Sequence, residues 1–93
     1  MVTEVAHEPD RSRYVLRVDG EAVGVAEYRD RGDALVFHHT EIDRDRRGHG
    51  LGVTLVRGAL DDVRARGRTI VATCWFVSEF VERHPGYAGL LAT

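Results

Sequence analysis

Lysine is missing from this chain, and all 13 positions counted as lysine plus arginine are arginine. A Gly-Lys-Ser/Thr phosphate loop, whose lysine reaches the β- and γ-phosphates, is thereby excluded. The one cysteine, Cys74, rules out an intramolecular disulfide. No apolar run approaches the ~18–20 residues that cross a bilayer. Met1–Asp10 lacks the basic and apolar regions of a signal peptide, so a reducing cytoplasm is the expected location. An excess of positive charge is lacking too. The formal net charge is -2, which argues against general nucleic-acid binding. What remains is 43% hydrophobic and 30% charged over 93 residues, the balance of one folded domain covering residues 1–93. A chain this short buries only ~60–65% of the surface it exposes when unfolded, so its core is modest. No repeat, low-complexity tract or linker interrupts it.

The two halves have different periods. Val2–Glu8 reads as a short strand with mixed polarity, and Pro9-Asp10 as a turn. Tyr14–Val18 is a β-rich run ending in Asp19-Gly20, a strong hairpin signal. Ala22–Tyr28 resumes as a strand, Arg29–Asp33 turns again, and Ala34–Ile42 is the longest strand. From Leu51 the apolar residues recur at Leu55, Val56, Ala59, Leu60 and Val63, one face of a helix that stops near Gly67. Gly58, costly inside a helix, marks a close approach to the sheet. Thr69–Phe76 is near-continuously apolar, as expected of a strand buried on both faces. Ser78–Arg83 reads as a short helix with Ser78 at its N-cap, ended by His84-Pro85-Gly86. Tyr87–Leu91 carries no clear signal. An antiparallel meander thus leads into a βαβ unit with a right-handed crossover, an α+β (mixed α/β) domain.

The mouth of the long helix is R-R-G-H-G-L-G, residues 46–52. Glycine tolerates positive φ and lets a ligand touch the main chain. The first N–H groups of a helix lack internal partners, and its dipole favours an anion there. Arg44, Arg46 and Arg47 add charge, offset once by Asp45. A dinucleotide fingerprint does not fit. It needs G-x-G-x-x-G and an acid about 20 residues on, whereas the spacing here is Gly48-x-Gly50-x-Gly52 and Thr69–Phe76 holds no acid. By themselves the residues leave two readings, a glycine-rich structural turn or a phosphate seat.

Arg47-Gly48-His49-Gly50-Leu51-Gly52 resembles the R-x-x-G-x-G acyl-coenzyme A signature of the GNAT superfamily of N-acetyltransferases. Four blocks, H-T-E-I (39–42), R-R-G-H-G-L-G (46–52), C-W-F-V (74–77) and R-H-P-G-Y (83–87), are similar to the small stand-alone bacterial GNAT-like proteins. The resemblance runs from about residue 14 to 90. It implies a GNAT-like fold with a splayed central strand pair, but without the two acceptor-site helices that usually follow the first strand. The usual tyrosine acid also lacks a clear counterpart, since Phe80 lies in the relevant helix and Tyr87 comes later.

What the resemblance implies for chemistry is acetyl-CoA-dependent transfer of an acetyl group directly to an amine. The main chain of Arg47, Gly48, His49, Gly50, Leu51 and Gly52 would hold the pyrophosphate, and Arg44 or Arg46 the 3′-phosphate. The pantetheine arm would pair beside the long strand near Thr40 and Ile42. Glu41 is the first candidate base and His39 the second, sharing a strand face unless a bulge intervenes. His38 should point the other way. Cys74 would lie near the thioester, as covalent carrier with His39 lowering its pKa, or as donor to the thiolate. Trp75, Phe76, Phe80 and Tyr87 wall the acyl pocket or pack the core. No metal is expected, and no nucleic-acid or membrane partner. Alternatives are a non-catalytic acyl-CoA-binding module and an interaction domain using the Arg44–Arg47 loop. An open sheet edge would allow a weak homodimer beside the monomer.

Overall fold

Asp19 and Gly20 join β2 (Arg13–Val18) to β3 (Glu21–Asp30), and both have positive φ, 50° and 85°. That is the backbone a type I′ hairpin requires. The computed structural model describes residues 1–92. Before the hairpin comes β1 (Thr3–Glu8), and after it β4 (Leu35–Ile42), α1 (Leu51–Ala65), β5 (Ile70–Ala72) and α2 (Trp75–Arg83). Short 3-10 turns cover Pro9–Arg11, Arg44–Arg46 and Pro85–Leu90. Among the described residues the sheet order is β1-β2-β3-β4-β5, antiparallel through β4 and parallel between β4 and β5. Between β1 and β2, where acceptor-site helices were expected to be missing, there is only the Pro9–Arg11 turn.

Alternation places Tyr14, Leu16 and Val18 of β2, Ala26 and Tyr28 of β3, and Leu35 and Phe37 of β4 on one face. Leu51, Leu55, Val56, Ala59, Leu60 and Val63 of α1 cover them, and Val77, Phe80 and Val81 of α2 join the same cluster. The opposite face carries charge, with Glu8 accepting from Arg13 at 2.7 Å and lying 3.7 Å from Arg17.

The mixed polarity of β1 has a tertiary explanation. Val5 packs on Gly58, whose helix comes so close that a Cβ there would lie 2.6 Å from Val5 Cγ2. His7 stacks on Tyr14 at 4.3 Å and shares a 2.7 Å hydrogen bond with Tyr28. The Tyr14 hydroxyl donates to Asp62 of α1 at 2.7 Å. Leaving such a buried donor unpaired costs ~1–3 kcal/mol, so this bond helps fix helix to sheet.

Two expectations change. The Thr69–Phe76 strand is cut to Ile70–Ala72, and α2 starts at Trp75 with Cys74, not Ser78, at the N-cap position. The cause is local. The Phe37 carbonyl receives the N–H groups of Thr73 and Cys74 at 3.0 and 3.1 Å and the Thr73 hydroxyl at 3.3 Å. This ends the ladder and turns the chain. Ser78 instead donates its N–H to the Cys74 carbonyl inside the first helical turn. Tyr87 and Leu90, in the segment without a clear signal, belong to the last 3-10 turn. Among the described residues no helix is long and apolar enough to cross a membrane.

Candidate functional site

The parallel pairing of β4 with β5 covers Leu35–Phe37 and Ile70–Ala72 and then stops. Beyond Phe37, β4 runs on to Ile42 with β3 on one side and, among the described residues, no strand on the other. The register also slips there. Tyr28 faces Phe37 and Glu27 faces His39, so His38 is an extra, bulged residue. The slip inverts the phase of the strand. Thr40 and Ile42, opposite Ala26 and Gly24, come to the α1 face. His39 and Glu41, opposite Glu27 and Val25, go to the open face.

A cleft of about 550 Å³ fills the splay, within the ~300–1,000 Å³ of small-molecule sites. Residues 39–42, 46–48, 50–53 and 74–76 line it. Of the residues expected at a coenzyme site, Arg44 and His49 are exposed and do not reach this wall. Arg46 is half-buried and paired with Glu21 at 2.6 Å. Arg47 Nε donates to the Ile42 carbonyl at 3.1 Å.

The three alternate glycines do two different jobs. Gly48 and Gly50 have φ of +87° and +73°, which only glycine adopts cheaply, and the space beside each is open. Gly52 is a packing glycine, because a Cβ would lie 2.7 Å from Phe76 Cζ. Gly50 caps α1 without a side-chain bond, and the first turn has no acidic residue. The first helical hydrogen bond runs from Thr54 N–H to the Gly50 carbonyl. Among the described residues the N–H groups of Leu51, Gly52 and Val53 therefore have no partner. Those donors face the concentration of positive partial charge at the end of a 15-residue helix.

His39 Nε2 lies 3.0 Å from Glu41 Oε1 on the open side. Cys74 Sγ lies 3.6 Å from Thr40 Oγ1, bridging the splay. The expected His39–Cys74 pairing is thus replaced by two separate pairs. The reason is the strand itself, since Thr40 is the β4 residue on the cysteine's side and His39 points away. Tyr87 is outside the cleft. Its hydroxyl donates to Asp61 at 2.7 Å, and that bond, with burial, raises its pKa. Phe80 is core and stacks on His84 at 4.2 Å. Phe76 and Trp75 do wall the cleft. Glu27, beside His39 across the strands, was not foreseen, because cross-strand register is not written along a single strand. Among the described residues no group of His, Cys, Asp and Glu could hold a metal.

A sequence model described as GCN5-related N-acetyl-transferase matches residues 13–90. Protein NATD1 of Bos taurus is 33% identical over 85 residues, covering 87% of this chain and 74% of that protein. The Gallus gallus protein of the same name is 31% identical, covering 88% and 76%. In fold, the chain is similar to the solution structure of a GCN5-like protein from Staphylococcus aureus, with a TM-score of 0.71 at 19% identity, covering 96% of this chain and 87% of that one. It is also similar to a ribosomal-protein-alanine N-acetyltransferase from Brucella melitensis, with a TM-score of 0.52 at 22% identity, covering 90% and 66%. With the splayed strands and the glycine turn, the matched span shows that the chain belongs to the GCN5-related N-acetyltransferase family.

Proposed function

We propose that the cleft binds acetyl-coenzyme A and that the chain transfers the acetyl group directly to an amine. One observation carries the reading: the unpaired edge of β4 beyond Phe37 and the uncapped N-terminus of α1 open into the same cleft. An extended amide-bearing arm suits the first, and a pyrophosphate suits the second.

The coenzyme would supply the acetyl group as a thioester, whose carbon–sulfur bond breaks as the amide forms. The free N–H groups of residues 51–53 and the main chain around Gly48 and Gly50 would bind phosphate. Arg46 and Arg47 lend charge nearby, and the edge of residues 39–42 would align the arm. In the His39–Glu41 pair, the Glu41 carboxylate accepts the Nε2–H. That leaves Nδ1 of His39 as a lone-pair site to take the proton of the amine. The Cys74 thiol or Thr40 hydroxyl would return a proton to the leaving sulfur.

Thermal unfolding with acetyl-CoA, and with adenosine diphosphate as control, tests the binding step. Ligand at about 100 times its dissociation constant should stabilise by ~2.7 kcal/mol, or roughly 10 °C or more for a domain of this size. No shift at millimolar acetyl-CoA would sink the proposal. The bare Pro9–Arg11 turn between β1 and β2 favours a second reading, a coenzyme-binding module without catalysis. Glu41→Gln separates the two. It should slow thiol release in the presence of amines and leave the thermal shift intact, whereas a module releases no thiol in either form.

A further inference from the structure

β1 is an outer strand of the sheet, and among the described residues no strand pairs with its far side. One hydrogen bond fixes which of its main-chain groups point out. The Asp19 N–H donates to the Val2 carbonyl at 2.8 Å, one step beyond the Thr3–Val18 pair. Antiparallel bonding alternates along a strand, so Glu4, Ala6 and Glu8 also bond inward to β2. Thr3, Val5 and His7 therefore turn their N–H and C=O groups outward. Such edges are commonly blunted by proline, by a cation or by a bulge. Thr3–Glu8 contains neither proline nor arginine, and its pairing with β2 runs without a register shift. The strand is also pinned. Val5 packs under α1 at Gly58, and His7 stacks on Tyr14 and bonds to Tyr28. A strand already ordered loses little backbone freedom on gaining a partner.

The charges of β1 decide what fits beside it. A second copy of the same strand, related by a two-fold axis, runs antiparallel to the first. The axis can pass through Glu4, Val5 or Ala6 and still overlap most of the strand. Centred on Glu4, the pairing sets Glu4 against the partner's Glu4. Centred on Ala6, it sets Glu4 against the partner's Glu8. Both put like charges directly opposite, which destabilises a sheet. Centred on Val5, it sets Val5 against the partner's Val5, Thr3 against the partner's His7 and Glu4 against the partner's Ala6. Val2, 72% exposed, then meets the partner's Glu8. The charge of Glu8 is already answered by Arg13 at 2.7 Å and Arg17 at 3.7 Å. This centre also bonds Thr3, Val5 and His7 in both copies.

We infer that β1 is a self-association edge, joining two copies of the chain in one continuous sheet about a two-fold axis at Val5. One strand edge falls well short of the ~1,000 Å² that a stable interface buries, so the dimer is a weak one that forms at high chain concentration. β4, which lines the cleft, lies at the other side of β2 and β3. The inference therefore stands apart from the acetyl-transfer reading.

Sedimentation equilibrium from about 10 µM to about 1 mM chain tests it. The wild type should pass from monomer toward dimer, and a monomer at every concentration overturns the inference. Ala6→Arg puts a cation against the partner's Glu4 and should tighten the dimer about fivefold, whereas Ala6→Glu should loosen it by about as much. A shift in the same direction for both variants overturns the Val5 centre, because an axis through Ala6 would set like charges together in each. The wild type supplies a check that needs no variant. In amide exchange by NMR, the Thr3, Val5 and His7 N–H groups should exchange several-fold more slowly at about 1 mM than at about 50 µM. Protection that grows with concentration on another surface, and not at these amides, overturns the inference as well.

Discussion

Gly58→Ala sets two opposing effects against each other. Alanine in place of glycine inside α1 should gain ~1 kcal/mol of helix propensity. Its Cβ, however, would lie 2.6 Å from Val5 Cγ2, 2.8 Å from Val5 Cβ and 3.2 Å from Val5 Cγ1. Carbon atoms prefer ~3.5–4.0 Å. Rotating Val5 about χ1 cannot relieve a contact that includes its own Cβ, so β1 would have to move. That strand is held on one side by β2 and through His7 by Tyr14 and Tyr28. Overpacking of this kind costs ~1–3 kcal/mol. The net effect should be a loss of ~1 kcal/mol, seen as a Tm about 4–8 °C lower by circular dichroism. In a Val5→Gly background the obstruction is gone, and the same Gly58→Ala change should raise Tm by a few degrees. The coupling between the two sites would then be at least ~1 kcal/mol. A rise in Tm for Gly58→Ala alone, or the same shift in both backgrounds, would refute the close-approach argument.

Burial of His7, aided by Arg66 and opposed by Asp62, lowers its pKa from the ordinary 6.5. The unfolded chain therefore binds the proton more readily. Stability is fully present above about pH 6.5 and should be lost as pH falls from there through the folded pKa. His7→Gln, which keeps a partner for Tyr28, should flatten that part of a Tm-against-pH curve, and an unchanged slope would contradict the account. With Cys74 paired to Thr40 rather than His39, direct transfer predicts no acetyl adduct on the intact protein during turnover. A Cys74 adduct that forms with acetyl-CoA and disappears on adding amine, seen by mass spectrometry, would reverse that conclusion.

The meander, the hairpin at Asp19-Gly20 and the helix from Leu51 were legible because each rests on local pattern. Paired turn residues and a 3.6-residue apolar period need no knowledge of neighbours. The boundary between β5 and α2 was not legible, since an apolar run such as Thr69–Phe76 reads equally as strand or buried helix. What decides it is the Phe37 carbonyl, more than 30 residues away in sequence, which draws in both Thr73 and Cys74. The glycine turn stood out in the sequence, but its division of labour did not. Gly52 owes its identity to Phe76, and Gly48 and Gly50 to their own backbone. The His39–Glu41 pair was visible from alternation, while the face it occupies depends on a bulge no spacing announced.

His38 therefore matters without any chemistry of its own. It is the residue the ladder skips, so Tyr28 faces Phe37 and Glu27 faces His39 with the partners on either side kept in step. If the pairing ran on without the bulge, His38 would face Glu27, and His39 and Glu41 would take the places of Thr40 and Ile42, opposite Ala26 and Gly24 and beneath Leu55. Two ionisable groups would be pressed into the core, and two core-facing side chains would meet solvent. In evolutionary terms the bulge is a buffer. Deleting the His38 codon would leave every other pairing of the strand in place, so the open-face pair survives the loss of one residue there.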